Sequence, residues 1–248
     1  MSNHPTLIQL LDAADAMPGA AELRTRSYEL LELAAGDPVV DVGCGTGRAV
    51  AELAGLGARP TGIDVSEHMI AVAVERRPEH DFRLGTAEAL DLPDDSVAGY
   101  RADKVFHALA DPVGALAEAR RVLAPGGRIV LMGQDWDTVV IDSDEPELTR
   151  AVVHARADTV PNPRVARGYR NLLLDGGFTE VTVEVRTVVF TGATMLPMLT
   201  EFADAARAAG AVDRAQADSW TAEQTRRART DRLFLALPLF VAAATWRP

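Results

Sequence analysis

The sequence predicts an α/β fold, a doubly wound and mostly parallel sheet with helices on both faces. Three observations carry this. Val39-Val40-Asp41-Val42 is an apolar, β-branched run that breaks at Gly43, Gly45 and Gly47, after which Val50, Leu53 and Ala54 recur at helical spacing. Strand-like and helix-like segments then alternate with short connections as far as Met132, and right-handed crossovers turn such repetition into a parallel sheet. Asp64 ends the second strand-like run, 23 residues after Asp41, which suits one strand-helix-strand step.

In chain order, residues Leu7 to Leu33 read as helical, with a break at Met17-Pro18-Gly19. Val39 to Val42 is the first strand. The glycine turn after it lets a backbone approach a ligand without a Cβ in the way, and the next helix start offers free N–H groups and a positive dipole end. Arg48 stands where a dinucleotide fingerprint needs its third glycine, and no Gly-Lys-Ser/Thr ending of a phosphate loop follows. Thr61 to Ile63 forms the second strand, and Ser66 suits a helix cap. Phe82 and Leu84 belong to a third strand and Val97 to Ala102 to a fourth. Pro112 opens a helix with Leu116, Ala119 and Leu123 on one face, and Ile129 to Met132 is a fifth strand.

Beyond Met132 the pattern changes. Gly133-Gln134-Asp135-Trp136-Asp137 is dense in polar and aromatic groups, and the acids Asp142, Asp144, Glu145 and Glu147 precede a helix through Leu148, Val152 and Ala155. A second helix is expected from Asn162-Pro163 to Leu173, stopped by Gly176-Gly177. Val181, Val183, Val185 and Val189 alternate with polar residues as a sixth strand. Met195, Leu199, Phe202 and Ala206 share a helical face, a polar helix runs around Trp220 to Ala228, and Leu235 to Trp246 is a final strand. The chain of 248 residues is expected to be one domain: a helical cover over 1–36, a core over 37–135, and helical additions over 136–177 and 192–232.

Asp41 to Gly47, Asp64 in Thr-Gly-Ile-Asp-Val-Ser, Gly85-Thr86-Ala87-Glu88-Ala89-Leu90, Leu92-Pro93-Asp94-Asp95-Ser96 and Arg120 to Arg128 together resemble class I S-adenosylmethionine-dependent methyltransferases. They are most similar to the small-molecule branch that includes quinone-biosynthesis C-methyltransferases. The resemblance spans roughly residues 24 to 135. It implies a Rossmann-like seven-stranded sheet whose last strand inserts antiparallel between the fifth and sixth. It also implies S-adenosylmethionine as cofactor, held by Asp41, Gly43, Cys44, Gly45, Gly47, Asp64, Val65, Met69, Thr86, Ala87, Glu88 and Arg101, with Arg26 as the arginine that meets the cofactor's carboxylate. An aspartate commonly stands in that family where this chain has Thr86, which supplies only a hydroxyl. A carboxylate at Asp64 accepts from both ribose hydroxyls.

A sulfonium methyl is already activated, so transfer requires mainly alignment and exclusion of water. Where the acceptor is a phenol, enol or amine, a base assists; His107 is the first candidate, followed by Asp135 and His154. No metal is expected, since no two histidines stand at i, i+4 and the one cysteine lies in the glycine loop. No G-x-S-x-G elbow supports a hydrolase.

The net charge of −11, from 25 basic and 36 acidic residues, argues against a nucleic acid substrate. No apolar run reaches the length of a membrane span, and Met1 to Pro18 does not read as a signal peptide. A single cysteine makes a cytoplasmic location the default. The expectation is thus a cytoplasmic enzyme of secondary metabolism, monomer or homodimer, that methylates an O, N or C atom of a small, largely apolar metabolite. The alternative is a methyltransferase-like protein that binds the same cofactor and acts as a cyclase, isomerase or accessory subunit.

Overall fold

The alternation of apolar strands and amphipathic helices is realised in a computed structural model that describes Ile8, Asp12 and residues 18–248. The helical segment expected from Leu7 to Met17 lies, but for Ile8 and Asp12, outside the described residues. From Pro18 the elements run α1 (Pro18–Leu31), β1 (Pro38–Val42), α2 (Arg48–Gly55), β2 (Arg59–Asp64), α3 (Glu67–Arg76), β3 (Asp81–Leu84), β4 (Val97–Asp103), α4 (Pro112–Val122) and β5 (Leu123–Gln134). Then follow β6 (Val140–Ile141), α5 (Pro146–Ala157), α6 (Tyr169–Asp175), β7 (Thr179–Phe190), α7 (Leu196–Ala208), α8 (Arg214–Arg229) and β8 (Leu235–Thr245).

The described residues pack as two compact units. One comprises the chain up to Gly133 with Gly168–Glu184 and Val241–Pro248; the other comprises Gln134–Arg167 and Val185–Phe240. In the first, the strand order is β3-β2-β1-β4-β5-β8, and β7 pairs with β8. The pairs β1·β2, β1·β4, β2·β3 and β4·β5 are parallel, and the last strand is antiparallel, placed between β5 and β7 as the resemblance implies. Strand order reverses between β1 and β4, and ligands of open α/β sheets bind at the carboxyl ends of strands beside such a reversal. The sheet is buried on both faces around Val39, Val40, Ile63, Tyr100, Ile129 and Leu131, which explains why its strands read as continuous apolar runs.

Local signals account for the helix starts. The Ser66 hydroxyl accepts from the Met69 N–H at 3.3 Å to cap α3. The Asp111 carboxylate accepts from the Gly114 N–H at 2.9 Å to cap α4, with Pro112 in its first turn.

The second unit is helical around Val152, Leu199, Phe202, Ala206 and Trp220, all buried, and the Trp220 indole donates to the Thr149 hydroxyl at 3.0 Å. Here β6, a two-residue strand that sequence reading did not anticipate, pairs antiparallel with the start of β8. The helix expected from Asn162-Pro163 forms only from Tyr169; Val165–Gly168 is a tight 3₁₀ turn. Asp213 and Gln216 form a reciprocal capping box that starts α8 six residues before the expected Trp220.

Candidate cofactor site

The glycine turn after β1 forms because its backbone needs conformations and clearances that side chains deny. Gly43 and Gly47 lie at φ of 69° and 82°; a Cβ on Gly43 would stand 2.3 Å from the Val105 Cγ2, and one on Gly47 would stand 2.5 Å from the Phe82 ring. Gly43 N–H donates to the Ile63 carbonyl at 2.7 Å, which ties the turn to β2. The result is a cleft of about 380 Å³ at the carboxyl ends of β1 to β4, within the range of small-molecule sites.

Of the sequence-derived site residues, Gly43, Asp64, Val65, Thr86, Ala87 and Glu88 line this cleft, together with Val42, Gly85, Asp103, Lys104, Val105 and Ala108 to Ala110. Asp64 is held in place by backbone: one carboxylate oxygen accepts from the Gly45 N–H at 2.9 Å, the other from the Ser66 N–H at 2.9 Å. Each oxygen keeps a lone-pair direction for a ligand, and the orientation is set before any ligand arrives. Gly85 N–H donates to the Asp64 carbonyl at 3.0 Å, which joins the third strand's turn to the second's. Gly45, at φ 54°, and Gly47 complete the turn without lining the cleft.

Other residues brace the cleft and do not line it. Asp41 and Arg101 are buried and joined at 2.7 Å, and Arg101 also donates to Ser27 Oγ at 2.9 Å and to Asp103 at 3.0 Å. They lie on β1 and β4 with side chains packed inside the protein, and neither is among the residues that line the cleft. Burial pushes the Asp41 carboxyl above the usual carboxylate range against the pull of Arg101; burial also opposes the Arg101 cation, but Asp41 and Asp103 outweigh it and hold it charged. Cys44 is buried, and burial pushes its thiol up, with Asp41 and Asp64 adding to the effect, so it is no nucleophile. Met69 serves the α3 cap through its backbone and is not among the lining residues.

Arg26, expected to meet a carboxylate of the ligand, already meets carboxylates of the protein: its Nε lies 3.0 Å from Glu184 and its Nη1 2.9 Å from Glu29. Arg24 is likewise bidentate with Glu52, at 3.1 and 3.2 Å, and the Tyr28 hydroxyl donates to the same carboxylate at 2.8 Å. His107 occupies the 3₁₀ turn Phe106–Ala108 that follows β4, between the lining residues Val105 and Ala108.

Asp135 belongs to the second unit. It is fully buried, its carboxylate is clasped by Arg167 through Nε and, at 2.7 Å, Nη2, and it accepts from the Asp137 N–H at 3.1 Å. Asp137 in turn pairs with Arg164. Among the described residues no three His, Cys, Asp or Glu side chains gather as a metal site. Sequence reading missed Lys104 and Asp103 as cleft residues. Their signal was positional, since both end β4 beside the strand reversal.

Residues 40–131 match the family model described as "Methyltransferase domain". The chain is 36% identical over 196 residues, 76% of its length, to an uncharacterized 37.1 kDa protein in transposon TN4556 of Streptomyces fradiae, covering 57% of that protein. It is 36% identical over 162 residues to the O-methyltransferase cnsE of Penicillium expansum, covering 62% of this chain and 56% of that one. The chain thus spans little more than half the length of these curated relatives. Among solved structures, the YcgJ protein of Bacillus subtilis superposes with a TM-score of 0.66 over 92% of this chain and 99% of that one at 16% identity, a likeness of fold. The chain thus carries a methyltransferase domain over residues 40–131, similar to that of curated methyltransferases.

Proposed function

We propose that the chain binds S-adenosylmethionine in the cleft beside the glycine turn and transfers its methyl group to an O, N or C atom of a small, largely apolar metabolite of secondary metabolism. The observation that carries the reading is Asp64, whose carboxylate is oriented by the Gly45 and Ser66 N–H groups beside a turn where a Cβ at Gly43 would run into Val105. A vicinal diol is the chemical match for two carboxylate oxygens so fixed. Thr86, Ala87 and Glu88 follow β3 on the same side and supply backbone and carboxylate groups for an adenine edge.

When bound, S-adenosylmethionine supplies an electrophilic methyl carbon. The protein's own work is then to orient, to exclude water, and to accept a proton where the acceptor carries one. Glycine contacts along the turn hold the backbone close to the ligand, and Val65, Val105 and Leu109 give the cleft apolar walls. For a phenol, enol or amine acceptor we assign the proton to His107; Asp135, already engaged by Arg167, is assigned no proton transfer. With one cysteine, the sequence supports a cytoplasmic location. No helix of the described residues is long and apolar enough to cross a membrane.

The reading is tested by incubating the protein with S-adenosylmethionine and phenolic, polyketide and terpenoid acceptors and following both release of S-adenosylhomocysteine and product mass. A mass gain of one methyl, stoichiometric with that release, is the expected result. A product of unchanged mass, formed without release, overturns methyl transfer in favour of a cyclase or isomerase.

A further inference from the structure

We propose that Lys104, together with Asp103, reads the charged amino-acid end of the cofactor, a role that the arginines preceding β1 do not fill. The inference rests on the S-adenosylmethionine reading above. That molecule ends in a zwitterion, a carboxylate beside an ammonium group, and the cleft that would receive it carries three carboxylates, Asp64, Glu88 and Asp103. An anion entering such surroundings requires a cation. Lys104 is the only Lys, Arg or His among the described residues that line the cleft.

The other cations of this region are committed elsewhere. Arg24 grips Glu52, Arg26 grips Glu184 and Glu29, and Arg101 grips Asp41 and Asp103. Lys104 has only a loose partner, the Asp103 carboxylate at 3.8 Å, and its side chain is 44% exposed. Arg101 holds one Asp103 oxygen and the other faces Lys104, so the two side chains stand as a pair of opposite charges, the mirror of the ligand's own head group. Burial opposes ionisation of Asp103, but Lys104 and Arg101 outweigh it and hold the carboxyl below the usual range, so it is an anion ready for the ammonium.

Position agrees with charge. In the sheet β4 lies on the far side of β1 from β2, so Asp103 and Lys104 stand two strands, about 10 Å, from Asp64. A ribose at Asp64 then sends its amino-acid tail across the glycine turn toward the end of β4.

The backbone gives an independent sign. Lys104 is in the left-handed region, φ 60°, with its N–H bonded to the Met132 carbonyl at 2.8 Å. Four other described non-glycine residues share that region, Glu32, Asp95, Glu180 and Asp231, and none of them lines the cleft. Glycine adopts this conformation without strain; a lysine held there at the cleft rim points to work for its side chain.

The same backbone supplies a clean variant, since Lys104→Gly removes the charge and relieves the strain. Calorimetry would compare wild type, Lys104→Gly and Lys104→Arg against S-adenosylhomocysteine, which carries the zwitterion, and methylthioadenosine, which lacks it. The expected result is that Lys104→Gly binds S-adenosylhomocysteine at least about tenfold more weakly, binds methylthioadenosine as wild type does, and that Lys104→Arg restores most of the loss. Unchanged S-adenosylhomocysteine affinity in Lys104→Gly, or an equal loss for both ligands, overturns the assignment. Wild type that binds neither ligand overturns the cofactor reading itself, a result distinct from either.

Discussion

Each of the two compact units is held by different internal means. The first is a sheet buried on both faces, with a backbone-defined cleft and a charged pair, Asp41 with Arg101, sealed inside it. In the second, helices and loops are latched by ion pairs that join a buried side chain to a more exposed one, Asp135 with Arg167, Asp137 with Arg164, and Arg227 with Asp142 and Asp144. A comparable pair of the first unit, Arg121 with Asp94, lies outside its sheet. Backbone ladders and buried apolar area are insensitive to salt and acid, whereas latches of this kind are not. The contrast teaches where invariance is needed. The cleft that must hold one ligand in one pose is built from turns and strand ends, and the charge-latched unit is built from side chains that can be exchanged.

The most damaging break is expected inside the first unit. Arg101→Met leaves Asp41 buried without its cation and should cost about 3–5 kcal/mol, read as a fall in thermal midpoint on the order of 10 °C; a loss as small as that of an exposed pair would erase the contrast. Next is His107→Ala, which under the base assignment lowers turnover about a hundredfold and leaves S-adenosylhomocysteine affinity intact. Loss of both together would give His107 a structural role. Asp64→Ala should weaken S-adenosylmethionine binding by about 1–3 kcal/mol, because the ribose loses both acceptor oxygens, while the turn loses its side-chain bonds at Gly45 and Ser66 but keeps its backbone tie from Gly43 to Ile63.

The smallest effect belongs to the second unit and depends on pH. Burial opposes ionisation of Glu223, but the Asp144 N–H, the Ser143 hydroxyl and Arg227 outweigh it and hold its carboxyl below the usual range. A depressed carboxyl contributes stability that is complete above its ordinary value, near ~4.3, and is lost as pH falls through the lowered one. Thermal midpoints of wild type should therefore decline below about pH 4 more steeply than those of Glu223→Gln, which lacks the group. Parallel curves for the two proteins would remove Glu223 from the account.

Legibility in the sequence follows the same division. Val39 to Gly47, Asp64 and the turn at Gly85-Thr86 were readable because strand, glycine turn and helix start are local patterns; the parallel sheet followed from crossover handedness, and the place of the last strand from the family resemblance. The roles of Asp41 and Arg101 were not, because a residue at the end of a strand faces either the cleft or the interior, and only the packed structure decides. The ion pair of Arg26 was not legible for a related reason: its partner Glu184 lies 158 residues away, a pairing no local pattern announces. The same holds for Asp135 and Arg167, 32 residues apart. The delayed start of α6 reflects a tight turn through Val165–Gly168 where helical spacing alone predicted continuity.

Calorimetry of the purified protein with S-adenosylhomocysteine, with NADH as control, tests the central claim most directly. Micromolar binding of the first with none of the second is the predicted result. Binding of NADH, or of neither ligand, would contradict the assignment of this cleft to S-adenosylmethionine.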